Sequence, residues 1–246
     1  RGDHADLSAM TRAIAHRGPD GEGLYHDPES AVFLGHRRLA ILDREGGSQP
    51  MWNEDGTVGV VFNGEIYNHA ELRAELVGRG HRFRSDHSDT EVLVHGYEEW
   101  GSDLPARLNG MFAFVIYDRT KRCLFLARDR FGEKPLFYFT GRDVFAFASE
   151  LTAFFGHRAF EARIDPRSLQ KFFAYGYVPA PNAIYERCRK LPSAHHATYE
   201  IGTGRLTIQP YWTFSIEPDE SLGDRDEPRL IEERSEEHTS ELQSRL

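Results

Sequence analysis

The middle of the chain carries short strands that are apolar at nearly every position, and this pattern constrains the fold more than any other feature. A strand with one solvated face alternates apolar and polar residues, whereas a continuous apolar run indicates burial on both faces. Polar or glycine-containing turns separate the four clearest runs, which are residues 111–117, 124–127, 136–139 and 144–148. A sheet buried on both faces needs a further layer on each side.

Helical periodicity supplies candidates for those outer layers. In residues 5–17 the apolar positions Leu7, Met10 and Ile14 recur at helical spacing. Similar patterns predict helices from about residue 69, over 89–100 and over 168–177, and two further apolar runs predict strands at 31–34 and 58–62. We therefore expect an α+β fold in which two stacked sheets lie between helices.

Composition excludes several classes of protein. The 246 residues carry a formal net charge of −9 and no basic block, which argues against binding to nucleic acid or to a membrane surface. No apolar run approaches the roughly 20 residues that a membrane span needs. We also expect no secretory leader. The only two cysteines, Cys123 and Cys188, lie far apart in sequence, so we expect a reducing, cytoplasmic setting.

The pattern changes after about residue 211. Residues 217–246 are rich in Asp, Glu, Ser and Arg without sustained periodicity, which is typical of a linker or of disorder. We predict one domain over 1–212 and a linker over 213–233. The stretch RSEEHTSELQS resembles the in-frame translation of a short-read sequencing adapter, so 234–246 is expected to be an assembly artefact or a disordered tail; an ordinary acidic tail is the alternative.

Several polar residues stand where apolar strands end or helices begin. Arg38 follows a strand in GHRRLAIL, Asn63, Gly64 and Glu65 follow the run 58–62, and Asp89 opens the helix in SDTEVL. A free amino acid needs a guanidinium for its carboxylate and a carboxylate for its ammonium. A reacting side-chain amide also needs donors aimed at the developing oxyanion. These residue types together are suited to binding and hydrolysing an amino-acid amide.

Each residue also has a simpler structural interpretation when taken alone. An Asn-Gly pair after a strand is usually a hairpin turn, and a lone Asp at this position is more often a helix cap. The pair Arg37 and Arg38 is most simply a solvated surface pair, and the charged residues 128–134 an exposed loop with internal ion pairs.

The order of the motifs decides between these interpretations. HRGPDGEG, LGHRRLAILD, GSQPM, FNGEIYNH, SDTEVL, EEWG, LNGMFAFVIYD, LFLARDRFGEKPLFY and FASE occur in sequence. Over nearly all of residues 1–212 the chain resembles the class II glutamine amidotransferase domain of asparagine synthetases. The resemblance implies a four-layer α/β/β/α sandwich of the N-terminal-nucleophile hydrolase type. It also implies a glutaminase half-reaction that releases ammonia from glutamine.

The resemblance assigns roles in binding glutamine to five residues. Arg38 would pair with the substrate α-carboxylate, with the backbone around Leu39 and Ile41 assisting. Glu65 and Asp89 would hold the α-ammonium.

The resemblance assigns catalytic roles to two further residues. Asn63 through its side chain and Gly64 through its backbone N–H would form the oxyanion hole, where one donor is worth roughly 3 kcal/mol in the transition state. Glycine at 64 would let the backbone approach the substrate without a Cβ in the way.

The nucleophile of the family does not match this sequence. The family uses a cysteine exposed as the first residue of the mature chain, whereas residue 1 here is Arg1. The expected cysteine would lie upstream of Arg1, and the chain as given is expected not to hydrolyse glutamine. Cys123 begins an apolar strand and is expected to be a core residue. Cys188 lies between two arginines, which could lower its pKa, but a structural role is favoured.

The remaining expectations concern what the amidotransferase half would work with. The resemblance implies L-glutamine as substrate and a C-terminal synthetase domain, with ATP and Mg²⁺, that amidates aspartate; a homodimer is possible. No metal or cofactor is expected in residues 1–246, because the neighbours His195 and His196 would point to opposite faces of a strand. Two alternatives stay open: a related amidotransferase with another acceptor, or a non-catalytic glutamine-binding module. Glu133 and residues 191–195 depart from the family pattern without touching the assigned residues.

Overall fold

A computed structural model describes residues 2–39, 47–85 and 88–215. Its α-helices are α1 His4–Ala13, α2 His69–Gly78, α3 Asp89–Trp100, α4 Leu104–Arg107 and α5 Pro166–Tyr175. Its strands are β1 Gly21–Asp27, β2 Val32–Arg38, β3 Met51–Trp52, β4 Val58–Ile66, β5 Gly110–Asp118, β6 Cys123–Arg128, β7 Phe137–Thr140, β8 Phe145–Ala148, β9 Cys188–Lys190, β10 His195–Glu200 and β11 Leu206–Pro210.

The chain divides into two compact units, Arg1–Trp212 and Thr213–Leu246. All of these helices and strands belong to the first unit. From residue 216 onward the predicted linker and tail lie outside the described residues. No helix in the described ranges is long and apolar enough to cross a membrane.

The strands form three antiparallel sheets. The largest has six strands in the order β11-β10-β6-β5-β4-β3. Its centre is the pairing of β4 with β5, in which Val61 lies opposite Val115. The other two sheets are the hairpin β1-β2 and the three-stranded sheet β8-β7-β9. Within the described residues, β2 pairs only with β1, and β8 pairs only with β7.

Strand β5 shows why the central strands are apolar at every position. Phe114 and Ile116 pack with Leu93 of α3 on one face of the six-stranded sheet. The alternate side chain Val115 packs with Leu34 of β2 on the other face. Successive side chains of a strand point to opposite faces, so both faces lie in a core. The prediction of burial on both faces is confirmed.

A third core completes the layers. Phe139 of β7 and Ala148 of β8 pack with Phe154, and Met10 and Ile14 from the first helical region flank them. The layer order is therefore helices, six-stranded sheet, smaller sheets, helices, and the expected α+β sandwich is confirmed. Helix α5 contributes little to it, because Ser168 is its only buried residue and its phenylalanines are exposed.

Three predicted ends differ from the structure by four residues. The first helix ends at Ala13 and a short 3-10 turn, Ala15–Arg17, follows it, since Gly18 and Pro19 stop helical growth. The strand predicted at 31–34 runs on to Arg38. The strand predicted at 58–62 runs on to Ile66, so Asn63, Gly64 and Glu65 lie inside β4 rather than after it. The hairpin interpretation of the Asn-Gly pair is wrong.

Candidate active site

Strand β2 carries Arg38 to the rim of a cavity between the sheets. Arg38 is the last residue of β2 and lies opposite Gly21 of β1. The turn at Gly18 packs against the backbone there, where an added Cβ would lie 2.4 Å from the Arg37 carbonyl carbon. The cavity measures about 830 Å³, and Arg38 and the exposed Leu39 line it. A closely packed turn therefore supports the backbone that carries Arg38.

Strand β4 directs Asn63 into the same cavity. Asn63 lies opposite Ala113 and shares a face with Val61, which belongs to the core between the sheets. The Asn63 Nδ2 atom is buried and has no hydrogen-bond partner among the described residues. A buried donor left unpaired costs about 1–3 kcal/mol. An unpaired amide in a cavity is suited to a ligand oxygen.

The next residue, Gly64, has a backbone conformation that only glycine adopts readily. Its φ is +153°, and an added Cβ would lie 2.0 Å from the Met111 carbonyl oxygen on β5. Glycine is therefore required here by the neighbouring strand, a constraint separate from the expected approach to substrate. The N–H groups of Phe62 and Ile66 bond to the side chains of Gln49 and Asp89. Strand alternation therefore directs the Gly64 N–H to this same edge.

Helix α3 begins at the cavity with Asp89. The Asp89 carboxylate accepts a hydrogen bond of 3.0 Å from the Ile66 N–H. Burial raises the pKa of Asp89, and the nearby Glu65 charge raises it further. Two carboxylates that interact in a partly desolvated place are stabilised by a cation. Ser88, the buried residue immediately before Asp89, also lines the cavity.

His36 and Gln49 belong to the site although the sequence did not single them out. Strand β3 pairs with β4 at Gly59 and Val60. Further along that edge of β4, side chains form hydrogen bonds with the backbone of Phe62. His36 Nε2 donates to the Phe62 carbonyl at 3.1 Å, and Gln49 Oε1 accepts from the Phe62 N–H at 2.6 Å. Burial lowers the pKa of His36 to about 4, so the imidazole is neutral at pH 7. Both residues lie within motifs that carry the family resemblance, His36 in LGHRRLAILD and Gln49 in GSQPM. Their place in these motifs could have indicated a role in the site.

Six of the seven predicted site residues therefore line one cavity. They are Arg38, Leu39, Asn63, Gly64, Glu65 and Asp89. The seventh, Ile41, lies outside the described residues.

Neither cysteine lines that cavity. Cys123 and Cys188 are both buried, and burial raises the pKa of Cys188 to about 11. The neighbouring arginine lowers it less than burial raises it, so the suggested activation of Cys188 is wrong. Both thiols are core groups, as the favoured interpretation had it.

The charged turn at 128–134 is buried at its base. Arg128 donates to the carbonyls of Gly132, Lys134 and Leu191 at 2.6–2.8 Å. Asp129 accepts from the N–H groups of residues 112, 131, 133 and 134. Bonds from side chains to the backbone thus hold the turn. Phe131 and Glu133 are exposed, as the simpler interpretation expected, but the base at Asp129 is buried.

Comparison with known proteins agrees with this geometry. Residues 1–212 match the family described as "Glutamine amidotransferase domain", and the chain belongs to that family. Its fold is that of N-terminal-nucleophile amidotransferases: the solved glutamine phosphoribosylpyrophosphate amidotransferase from B. subtilis superposes with a TM-score of 0.62 at 17% identity, over 87% of this chain and 48% of that one.

Within the family, the chain is homologous to the amidotransferase domains of glutamine-hydrolysing asparagine synthetases. It is 37% identical over 227 residues to "Asparagine synthetase [glutamine-hydrolyzing] 1" of Bacillus subtilis strain 168, covering 92% of this chain and 34% of the relative. It is 40% identical over 214 residues to "Asparagine synthetase [glutamine-hydrolyzing] 3" of the same strain, covering 86% of this chain and 34% of that relative. The chain spans about a third of these relatives' length.

Proposed function

We propose that the cavity binds L-glutamine and that its side-chain amide is hydrolysed beside Asn63. The observation that carries the proposal is the buried Nδ2 of Asn63, which has no hydrogen-bond partner among the described residues and is adjacent in the chain to the Gly64 N–H. An oxyanion hole requires two such donors, and these two would converge on the amide oxygen of the substrate. Asn63 would donate to the amide oxygen as negative charge develops there.

Charge supports the orientation of the substrate. Arg38 at the end of β2 would pair with the α-carboxylate, because guanidinium groups bind carboxylates bidentately. Glu65 and Asp89 would hold the α-ammonium, whose charge would offset the burial and the Glu65 charge that raise the pKa of Asp89. The backbone at Leu39 and Ile41 would assist Arg38. This arrangement distinguishes free glutamine from a glutamine side chain within a peptide, which lacks both charged groups.

The proposed nucleophile is a cysteine thiol on a segment that precedes Arg1 in the full-length protein. The cavity runs between the edge strands β2 and β8, which line it through Val32, Gly35, Phe147 and Ala148. Unpaired strand edges accept an extended segment by backbone hydrogen bonding. The thiol would attack the amide carbon, ammonia would leave with a proton from the thiol, and water would hydrolyse the resulting thioester to glutamate.

In the full-length protein the ammonia would amidate aspartate. A C-terminal synthetase domain would bind ATP and Mg²⁺ and form the activated aspartate, in a cytoplasmic enzyme that can be a homodimer. The support is homology to asparagine synthetases about three times as long as this chain. An amidotransferase with another acceptor is the second candidate, since the acceptor would bind outside residues 1–212.

The test is steady-state kinetics of the full-length protein with L-glutamine, measuring glutamate and, with ATP and aspartate, asparagine. Glutamate formation that is lost when the proposed cysteine is replaced by alanine supports the glutaminase. Glutamate without asparagine would indicate another acceptor. Calorimetric binding of L-glutamine without any glutamate formation would favour the non-catalytic binding module instead. D-glutamine and L-glutamate serve as control ligands. D-glutamine places its ammonium wrongly, and L-glutamate lacks the side-chain amide.

A further inference from the structure

A group of side chains of metal-binding types lies at α3, further along the helix than Asp89, and none of them lines the cavity. His81 follows α2, while His95 and Glu98 lie one turn apart on α3. One ligand atom from each of these three residues lies within 4.8 Å of the others. His95 is almost fully buried, whereas His81 and Glu98 are partly exposed. The group is independent of the proposed glutamine site.

Both imidazoles face the same carboxylate oxygen. Glu98 Oε2 lies 3.1 Å from His95 Nδ1 and 3.7 Å from His81 Nδ1. The other oxygen, Glu98 Oε1, accepts a hydrogen bond of 2.7 Å from Asn53 Nδ2. The amide therefore fixes the rotation of the carboxylate and leaves Oε2 directed at the two nitrogens.

The opposite nitrogen of each ring faces a second carboxylate. His95 Nε2 lies 3.6 Å from Glu91, and His81 Nε2 lies 3.4 Å from Glu99. Glu91 is in turn held by Ser85 and by the Arg84 N–H. Metal-binding histidines characteristically have a carboxylate or carbonyl on the nitrogen away from the metal, which fixes the tautomer and makes the ligand more basic.

We propose that His81 Nδ1, His95 Nδ1 and Glu98 Oε2 bind one Zn²⁺ ion, with water as the fourth ligand. Two imidazole nitrogens and one carboxylate oxygen suit Zn²⁺ and disfavour Mg²⁺ or Ca²⁺, which prefer oxygen ligands. The partial exposure of His81 and Glu98 leaves room for water. The ion would join the end of α2 to α3.

The rival state has a proton on His95 where the metal would bind. Burial opposes a charge on His95, but its hydrogen bonds to the carboxylates of Glu91 and Glu98 outweigh burial and raise the pKa of His95 to about 9. An ion pair between protonated His95 and these two carboxylates therefore satisfies the same side chains. A direct metal titration separates the two states.

The experiment titrates the metal-free protein with Zn²⁺ against a chromophoric chelator, and with Co²⁺ for its visible absorption. We expect one equivalent bound and the absorption of four-coordinate Co²⁺. His81→Gln and Glu98→Gln should abolish both signals, and Glu91→Gln should weaken binding about 10–100-fold. Far-UV circular dichroism of each variant verifies folding; Glu98→Gln keeps an oxygen for Asn53.

His4→Gln is the matched control, because His4 is exposed on α1 and remote from the group in sequence. It should bind Zn²⁺ as the unaltered protein does. No stoichiometric binding, or binding that survives in both His81→Gln and Glu98→Gln, would overturn the proposal and leave the ion pair of protonated His95 with its carboxylates as the native state.

Discussion

The carboxylate of Asp89 accepts the backbone N–H of Ile66 at 3.0 Å, so the first residue of α3 is joined to the last residue of β4. Helix and strand lie in adjacent layers, and Asn63 and Gly64 lie just before Ile66 on that strand. The hydrogen bond therefore fixes the spacing between the proposed ammonium site and the proposed oxyanion donors.

Asp89→Asn should weaken glutamine binding without lowering stability. The amide keeps an oxygen for Ile66 but loses the charge that would pair with the ammonium, a loss of about 1.5–3 kcal/mol or roughly 10–100-fold in KM. Steady-state kinetics of the full-length protein measure this. Asp55→Asn, in an exposed turn, is the control and should leave KM unchanged.

The thermal unfolding of the same variant gives an independent result. The pKa of Asp89 is raised in the folded state, so ionising this group opposes folding at pH values above its folded pKa. The penalty disappears as the pH falls below the unfolded value. Asp89→Asn should therefore match or exceed the parent Tm at pH 7, with the difference shrinking in acid. A lower Tm at pH 7 would show that the charge is structural.

Asn63→Ala should lower kcat by about 10²–10³-fold with little change in KM, because its donor acts on the developing oxyanion. Stability should change little, since the variant removes a buried donor that has no partner among the described residues. Asn68→Ala is the opposite case: its amide bonds the Arg107 carbonyl and the Asn109 N–H. It should cost about 1 kcal/mol of stability and leave kcat unaltered. The same response in both variants would contradict the assignment.

Gly64→Ala should destabilise the protein by at least about 3 kcal/mol, because the new Cβ would overlap the Met111 carbonyl and the φ of +153° is strained for alanine. Chemical denaturation measures the change. Gly78→Ala is the control; nothing lies within 4 Å of its added Cβ in α2, and alanine should stabilise the helix by up to about 1 kcal/mol. A mild effect at Gly64 would mean that β4 and β5 separate readily.

Acid should weaken the fold through His36. Its pKa is about 4 in the folded protein against an ordinary 6.5, so the unfolded chain takes up a proton first. The stability is complete above pH 6.5 and is lost as the pH falls towards 4, by on the order of 3 kcal/mol. His36→Gln keeps a donor for Phe62 without titrating. Its Tm should fall less than that of the parent between pH 6.5 and 4, and parallel curves would exclude His36 as the cause.

Sequence patterns predicted the elements that have a strong physical signal. Strand β5 is apolar at each central position because cores lie on both of its faces. Helix α3 carries Val92, Leu93 and Tyr97 at helical spacing and ends before Gly101. Strands β1 and β11 were not predicted, because they are partly exposed and include polar or glycine residues. Strand β3 has two residues, too few for any period.

The site divides in the same way. Arg38, Asn63 and Asp89 carry groups that suit an amino acid, but each also has a simpler structural interpretation, and the resemblance to class II glutamine amidotransferases assigned their roles. His36 and Gln49 form hydrogen bonds with the backbone of Phe62, and such a contact cannot be predicted from the residue type alone. The strained backbone of Gly64 depends on Met111, which is 47 positions later and adjacent only after folding.

The order of synthesis matters for the six-stranded sheet. The Arg128 guanidinium bonds to Leu191, and β6 pairs on its outer side with β10, more than sixty residues further along the chain. While the protein is being translated, β6 is therefore an open edge until His195–Glu200 has left the ribosome. A chaperone that covers β-edges would act on this interval, and a premature stop before residue 195 would leave a nascent product prone to aggregate.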